Sequence, residues 1–226
     1  MTSGGVTVAV FGATGMVGVE VLHACFDEPR VSRVVTVGRR PTGVAHAKIR
    51  EVIVADLADL APAAEALREV DLVVYCVGVY TGRVPEDEFF RITCDYLGGL
   101  LTLLTGMGSR ATFCLMSAGG ADPTEKSRLV FARAKGRAER MLLESPLPSK
   151  YIFRPGYIAP GRQKSRTRIP DWLAWPGYRL MPFMGIDAVD LARTMLLVGL
   201  ERGAQTLFEN SDLRRYAKAH PRHDSR

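Results

Sequence analysis

Three glycines, Gly12, Gly15 and Gly18, stand at i, i+3 and i+6 directly after the β-prone run Val6-Thr-Val-Ala-Val-Phe11. The stretch that carries them, Gly12-Ala13-Thr14-Gly15-Met16-Val17-Gly18, runs into Val19-Glu-Val-Leu-His-Ala-Cys25, which has the composition of a helix. A buried strand, a tight turn and a helix start are the parts of an anion site. Gly12 lets the chain turn, Gly15 lets the backbone approach a pyrophosphate, and Gly18 lets the helix pack close on the strand. The unpaired N–H groups and the dipole at the helix start then favour a phosphate there. Placed between a strand and a helix, the spacing points to a dinucleotide.

A second set of residues says which dinucleotide. Arg39 and Arg40 follow the strand-like run Ser32–Val37, and Arg39 stands 21 positions past Gly18. An acidic residue about 20 positions past the glycines would bind the 2′-hydroxyl of NAD. A guanidinium clamps a 2′-phosphate instead, through paired hydrogen bonds. The cofactor expected is therefore NADP, with NAD less favoured. Asp56, followed by Leu57, closes the short run Arg50–Ala55. Its carboxylate could accept from the adenine amino group or cap the helix expected over Leu60–Val70, and the two roles are compatible. Gly78, after Cys76 and Val77, ends the apolar run Asp71–Val77 and would let the backbone lie against the ribose.

These residues need elements to hold them. Helical patterning runs from Glu86 to Thr105, with Phe89, Phe90, Ile92, Thr93, Tyr96, Leu97 and Leu100 as the buried face. Ala111–Met116 reads as a strand ending at Ser117. Asp122-Pro-Thr-Glu125 has the form of a helix start, for a helix running to about Glu144. Lys150–Arg154 reads as a strand ending in Pro155-Gly156, and Asp187–Glu201 as an amphipathic helix. The alternation of β and α is unbroken from Val6 to Arg154 and predicts a doubly wound α/β fold with a parallel sheet. Ligands sit at the carboxyl ends of such strands, where Gly12, Arg39, Asp56, Gly78, Ser117 and Pro155 all fall.

The chain has 226 residues, 47% of them hydrophobic, enough for one domain with a small appended lobe. Met1-Thr-Ser-Gly-Gly5 is not a signal sequence, and the apolar-rich run Tyr96–Ser109 is too short to span a bilayer, so a cytoplasmic protein is expected. Cys25, Cys76, Cys94 and Cys114 lie far apart, without metal-like spacing, and read as reduced buried thiols. The net charge of +6 falls largely in Arg162–Arg168 and the tail from Arg214. Neither stretch is interleaved with aromatics as a base-stacking surface would be, which argues against nucleic acid.

The ordered set Gly12–Gly18, Gly38-Arg39, Asp56-Leu57, Cys76-Val77-Gly78, Met116-Ser117, Lys135-Gly136, Arg154-Pro155-Gly156 and Ile186–Asp190 resembles the atypical short-chain dehydrogenase/reductase superfamily. Within it the chain is similar to Tat-interacting-protein-like oxidoreductases and NmrA-like proteins. The resemblance implies a Rossmann fold and chemistry by a serine, a tyrosine and a lysine four residues after the tyrosine. The lysine holds the ribose and lowers the tyrosine pKa, and the serine steadies the substrate oxygen. Ser117 and Lys135 match, but Phe131 stands at the tyrosine position. Without a hydroxyl it can neither give nor take a proton. Tyr157 and, further off, Tyr80 are the substitute phenols.

The expectation is one Rossmann-type domain over residues 1–226, with 156–185 as a substrate-side lobe. NADP would be held by the Gly12 turn, Arg39, Arg40, Asp56, Leu57, Cys76–Gly78, Lys135 and Pro155. Trp172, Trp175, Tyr178 and Phe183 of the lobe would line a pocket or meet a protein partner or second subunit. The expected activity is an oxidoreductase acting on a small carbonyl or alcohol, or on a quinone- or flavin-like acceptor. The alternative is an NADP(H)-binding redox sensor or regulator.

Overall fold

Successive residues of a strand point to opposite faces, so a strand that is apolar throughout must be covered on both. Strand β1, Val6–Phe11, meets that condition at every position but Thr7. Val8 and Val10 enter one core with Val21, Leu22 and Met195, while Ala9 and Phe11 enter another with Leu97, Leu100 and Leu142. In the computed structural model, which describes residues 5–162 and 185–222, this strand lies inside a seven-stranded sheet. With β2 (Val31–Gly38), β3 (Ile49–Ile53), β4 (Leu72–Tyr75), β5 (Thr112–Met116), β6 (Ser149–Arg154) and β9 (Leu207–Glu209), the order is β3-β2-β1-β4-β5-β6-β9. Every pairing in it is parallel. The chain winds outward from β1 to β3, then returns to place β4 on the other side of β1. That reversal opens a crevice at the carboxyl ends of β1, β2 and β4.

Helices α1 (Met16–Asp27) and α6 (Ala188–Glu201) cover one face. The short α2 (Ala64–Leu67), α4 (Tyr96–Gly106) and α5 (Val130–Glu144) cover the other. A separate parallel pair, β7 (Tyr157–Ala159) with β8 (Gly185–Asp187), follows β6, and α7 (Asn210–Ala219) closes the described chain. The buried carboxylate of Glu20 on α1 holds the residues after β7. It accepts the Arg162 backbone N–H at 2.5 Å and pairs with the Arg162 guanidinium at 2.5 Å.

Two elements differ from the expectation. The helix expected over Glu86–Thr105 is α3 (Glu86–Phe90), a π turn (Arg91–Asp95) and then α4. Its buried positions Phe89, Thr93, Leu97, Leu100 and Leu104 keep an α-like spacing, so the wider turn leaves no mark in the hydrophobic pattern. The helix expected from Asp122 begins at Val130. The Asp122 carboxylate accepts the Thr124 N–H at 2.9 Å and the Ser127 N–H at 2.7 Å, which makes a side-chain-braced loop. Asp-Pro serves a turn here as readily as a helix cap.

Candidate cofactor and substrate cleft

The glycine turn is sterically closed to any other residue at two of its three positions. Gly12 has φ +78°, and a Cβ there would sit 2.7 Å from the Cys76 carbonyl. A Cβ on Gly18 would lie 2.0 Å from the Gly12 carbonyl oxygen, so Gly18 works behind the cleft as the point where α1 meets β1. Gly15 is the N-cap of α1, with no side-chain cap and no acidic residue in the first turn. The N–H groups of Met16, Val17 and Gly18 therefore have no intrahelical acceptor. Their dipole end is left for a ligand anion.

A cleft of about 550 Å³ opens over this turn. Gly12, Thr14, Gly15, Met16, Val17, Arg39, Arg40, Leu57, Cys76, Val77, Gly78, Ser117 and Lys135 all line it. Arg39 and Arg40 are exposed at the end of β2. The four cysteines are buried and free, and burial pushes the Cys76 thiol up to about 12 even beside Lys135.

Besides Gly18, two expected cofactor residues, Asp56 and Pro155, stand outside the lining. Asp56 turns its carboxylate to Arg91 and accepts the Ala58 N–H at 3.1 Å. Hydrogen bonding from Tyr96, then from Ala58, with the Arg91 charge, holds its carboxyl below the usual carboxylate range. It braces its own loop against the π turn, while its neighbour Leu57 reaches the cleft. Pro155 offers its carbonyl to the Gly119 N–H at 2.8 Å and so fixes the loop after β5.

Phe131 and Lys135 lie one helical turn apart on α5 and both line the cleft. The Lys135 ammonium donates to the Met116 carbonyl at 3.0 Å, and a Cβ on Gly78 would lie 3.8 Å from Nζ. Burial lowers its pKa from the usual lysine value, with nearby Cys76, Cys94 and Glu139 acting in the opposite direction. Ser117 also reaches the cleft, but its hydroxyl donates to Glu139, which is 1% exposed. Glu139 in turn takes two bonds from Arg154, at 2.8 and 2.5 Å, and Arg154 reaches Glu209 at 2.9 Å. The hydroxyl thus belongs to a charge network joining α5, β6 and β9, buried at Glu139 and exposed at Glu209.

Sequence reasoning missed Thr42, Arg83, Phe89 and Ile158, which line the cleft as well. Arg83 had a signal, a lone basic residue in the loop after the Gly78 strand end. Tyr80 lines the cleft and is 44% exposed, whereas Tyr157 is not among the lining residues. Trp172, Trp175, Tyr178, Phe183 and most of the basic stretch Arg162–Arg168 lie outside the described residues. Among the described residues no group of side chains could hold a metal, and no helix is long and apolar enough to cross a membrane.

Known proteins share this fold. A crystal structure of a short chain dehydrogenase from Burkholderia cenocepacia J2315 in complex with NADP superposes with a TM-score of 0.71, at 15% identity. The match covers 97% of this chain and 94% of that one. The Bordetella bronchiseptica enzyme WbmG in complex with NAD gives 0.68 at 12% identity, over 92% and 73%. These likenesses establish the Rossmann-like fold. By sequence, Protein HTATIP2 of Rattus norvegicus is 28% identical over 214 residues, covering 90% of this chain and 86% of the relative. Protein FMP52, mitochondrial, of Debaryomyces hansenii is 30% identical over 164 residues, covering 70% and 69%. The cytoplasmic expectation finds no support in the fungal relatives, whose names place them in mitochondria. Residues 8–128, more than half of the chain, match the sequence pattern that joins the glycine turn to the loop after β5. By that match the chain belongs to the NAD dependent epimerase/dehydratase family.

Proposed function

We propose that the protein is an NADP(H)-dependent oxidoreductase whose acceptor is quinone- or flavin-like. A dinucleotide fits the cleft because Gly12 and Gly15 present bare backbone to it, beside the N–H groups that open α1. In this reading the Gly12–Gly18 turn takes the pyrophosphate, Arg39 and Arg40 the 2′-phosphate, Gly78 the ribose edge, and Lys135 the ribose hydroxyls. When bound, NADPH supplies a hydride, so that the acceptor gains two electrons and one proton and takes its second proton from water.

Phe131 carries the choice of acceptor. It occupies the cleft one turn before Lys135 and offers no proton, and the Ser117 hydroxyl is already given to Glu139. Carbonyl reduction needs an acid at the developing alkoxide. A quinone reduced to its hydroquinone anion does not, because solvent can protonate it. What the chain supplies is orientation: the ring of Phe131 flanks the acceptor, and Lys135 fixes the sugar.

Nicotinamide absorbance, followed with menadione and with simple aldehydes, tests this. Quinone reduction should exceed aldehyde reduction by the ~10²–10⁴-fold that a positioned acid contributes. Equal rates with both would overturn it. Calorimetry should give NADPH an advantage over NADH of about 10-fold or more, from one charge-assisted contact. Arg39→Asp should reverse that order.

A further inference from the structure

The described lining of the cleft contains four cationic side chains, Arg39, Arg40, Arg83 and Lys135, and no carboxylate. Three of them have work. Lys135 is bonded to Met116 O, and Arg39 and Arg40 follow β2, where a ribose phosphate would lie. Arg83 is elsewhere. It sits on the loop after β4, and β1 separates β4 from β2, so the two loops start about 10 Å apart at the usual strand spacing.

That loop is tied to the other end of the cleft. Val79 and Val84 pack with Phe131 on the buried group of Phe89, Cys94 and Ala134. The Arg83 guanidinium has no carboxylate or hydrogen-bond partner among the described residues, although acidic groups are close in sequence. Glu86 pairs with Arg133, and Glu88 with Arg91. On the neighbouring helix, Arg137 and Arg140 share Glu125. A guanidinium left unpaired in a cleft that Phe131, Phe89 and Tyr80 also line describes a site for a flat apolar body bearing one anionic group. The fork of an arginine matches carboxylate, sulfonate or phosphate oxygens in pairs.

We infer that Arg83 is a substrate-specificity residue and that the acceptor is an anionic aromatic compound. The inference rests on the reading of this cleft as a joint cofactor and acceptor site, and it is tested without any turnover. Calorimetry on the protein saturated with NADP⁺ compares naphthalene-2-sulfonate with naphthalene-2-sulfonamide, which keeps the rings and loses the charge. The sulfonate should bind about 10-fold tighter or more, the size of one charge-assisted contact. Arg83→Gln should bring it down to the sulfonamide, Arg83→Lys should keep part of the difference, and the NADP⁺ affinity should move by less than about 2-fold. Equal binding of the two probes to the unsubstituted protein would overturn the inference. So would an Arg83→Gln variant that weakens NADP⁺ in place of the sulfonate. Because binding needs no hydride transfer, quinones that go unreduced would end the proposed activity while leaving this result standing.

Discussion

At position 131 a ring without a hydroxyl stands four residues before a half-buried lysine, and both reach the cleft. Phe131→Tyr would set a phenol beside the Lys135 ammonium, which favours the phenolate and lowers the phenol's pKa. The variant should gain NADPH-dependent aldehyde reduction, up to ~10²–10⁴-fold over the unsubstituted protein. The gain should vanish when Lys135→Ala is added, as steady-state rates would show. Rapid aldehyde reduction before any substitution would mean another donor. Places fixed by near neighbours were legible in the sequence: spacing along the chain puts Gly12, Arg39 and Gly78 at strand ends, where they line the cleft, and Gly18 where α1 meets β1. The side-chain partners of Asp56 and Ser117 were not. These two side chains answer to Arg91, 35 positions on, and Glu139, 22 positions on, and no local pattern announces such partners.

At the scale of elements, α5 carries Phe131, Lys135 and Glu139 on one side and grips the loop before it on the other. The grip includes Asp122, whose N–H reaches the Ala132 carbonyl at 2.8 Å, and Glu125, held at φ 57° and paired with Arg137 and Arg140. Gly136 makes the approach feasible, since a Cβ there would lie 1.9 Å from the Asp122 carbonyl oxygen. Backbone cannot yield as a side chain can. Gly136→Ala should cost about 1–3 kcal/mol, typical of overpacking. That corresponds to a fall in Tm of about 2–12 °C for a chain of this size. Gly99 on α4 has nothing within 4 Å of its Cβ position, so Gly99→Ala should raise Tm slightly through helix propensity. Calorimetric melting of both variants separates crowding at Gly136 from a general effect of glycine replacement. Strands and most helices could be read from periodicity. The start of α5 could not, because Asp-Pro is ambiguous between cap and turn, and neither could the π turn, because burial alone does not register it.

Across the whole molecule, the β–α alternation carried the sheet: a chain of buried strands and crossovers has few right-handed ways to wind, and the observed order is one of them. The β7–β8 pair was not legible, because three-residue strands leave too few positions for a period to emerge. The chain's positive charge was assigned to a loop and a tail, yet part of it lines the cleft, where the described residues offer no acidic counterweight. Such a cleft acts before contact. A multiply charged anion would be drawn in over a distance set by the surrounding ions, about 10 Å at 0.1 M salt. Steering of this kind speeds association by 10–10³-fold at low ionic strength and fades as salt is added. Stopped-flow fluorescence should therefore show the NADPH association rate falling about 10-fold from dilute buffer to ~0.5 M salt, with a shallower slope in Arg39→Asp. A rate indifferent to salt would mean that the cations act only on arrival. If steering holds, capture speed depends on how many free polyanions share the compartment, so phosphate and nucleotide pools would set the pace of this protein even when they bind it poorly.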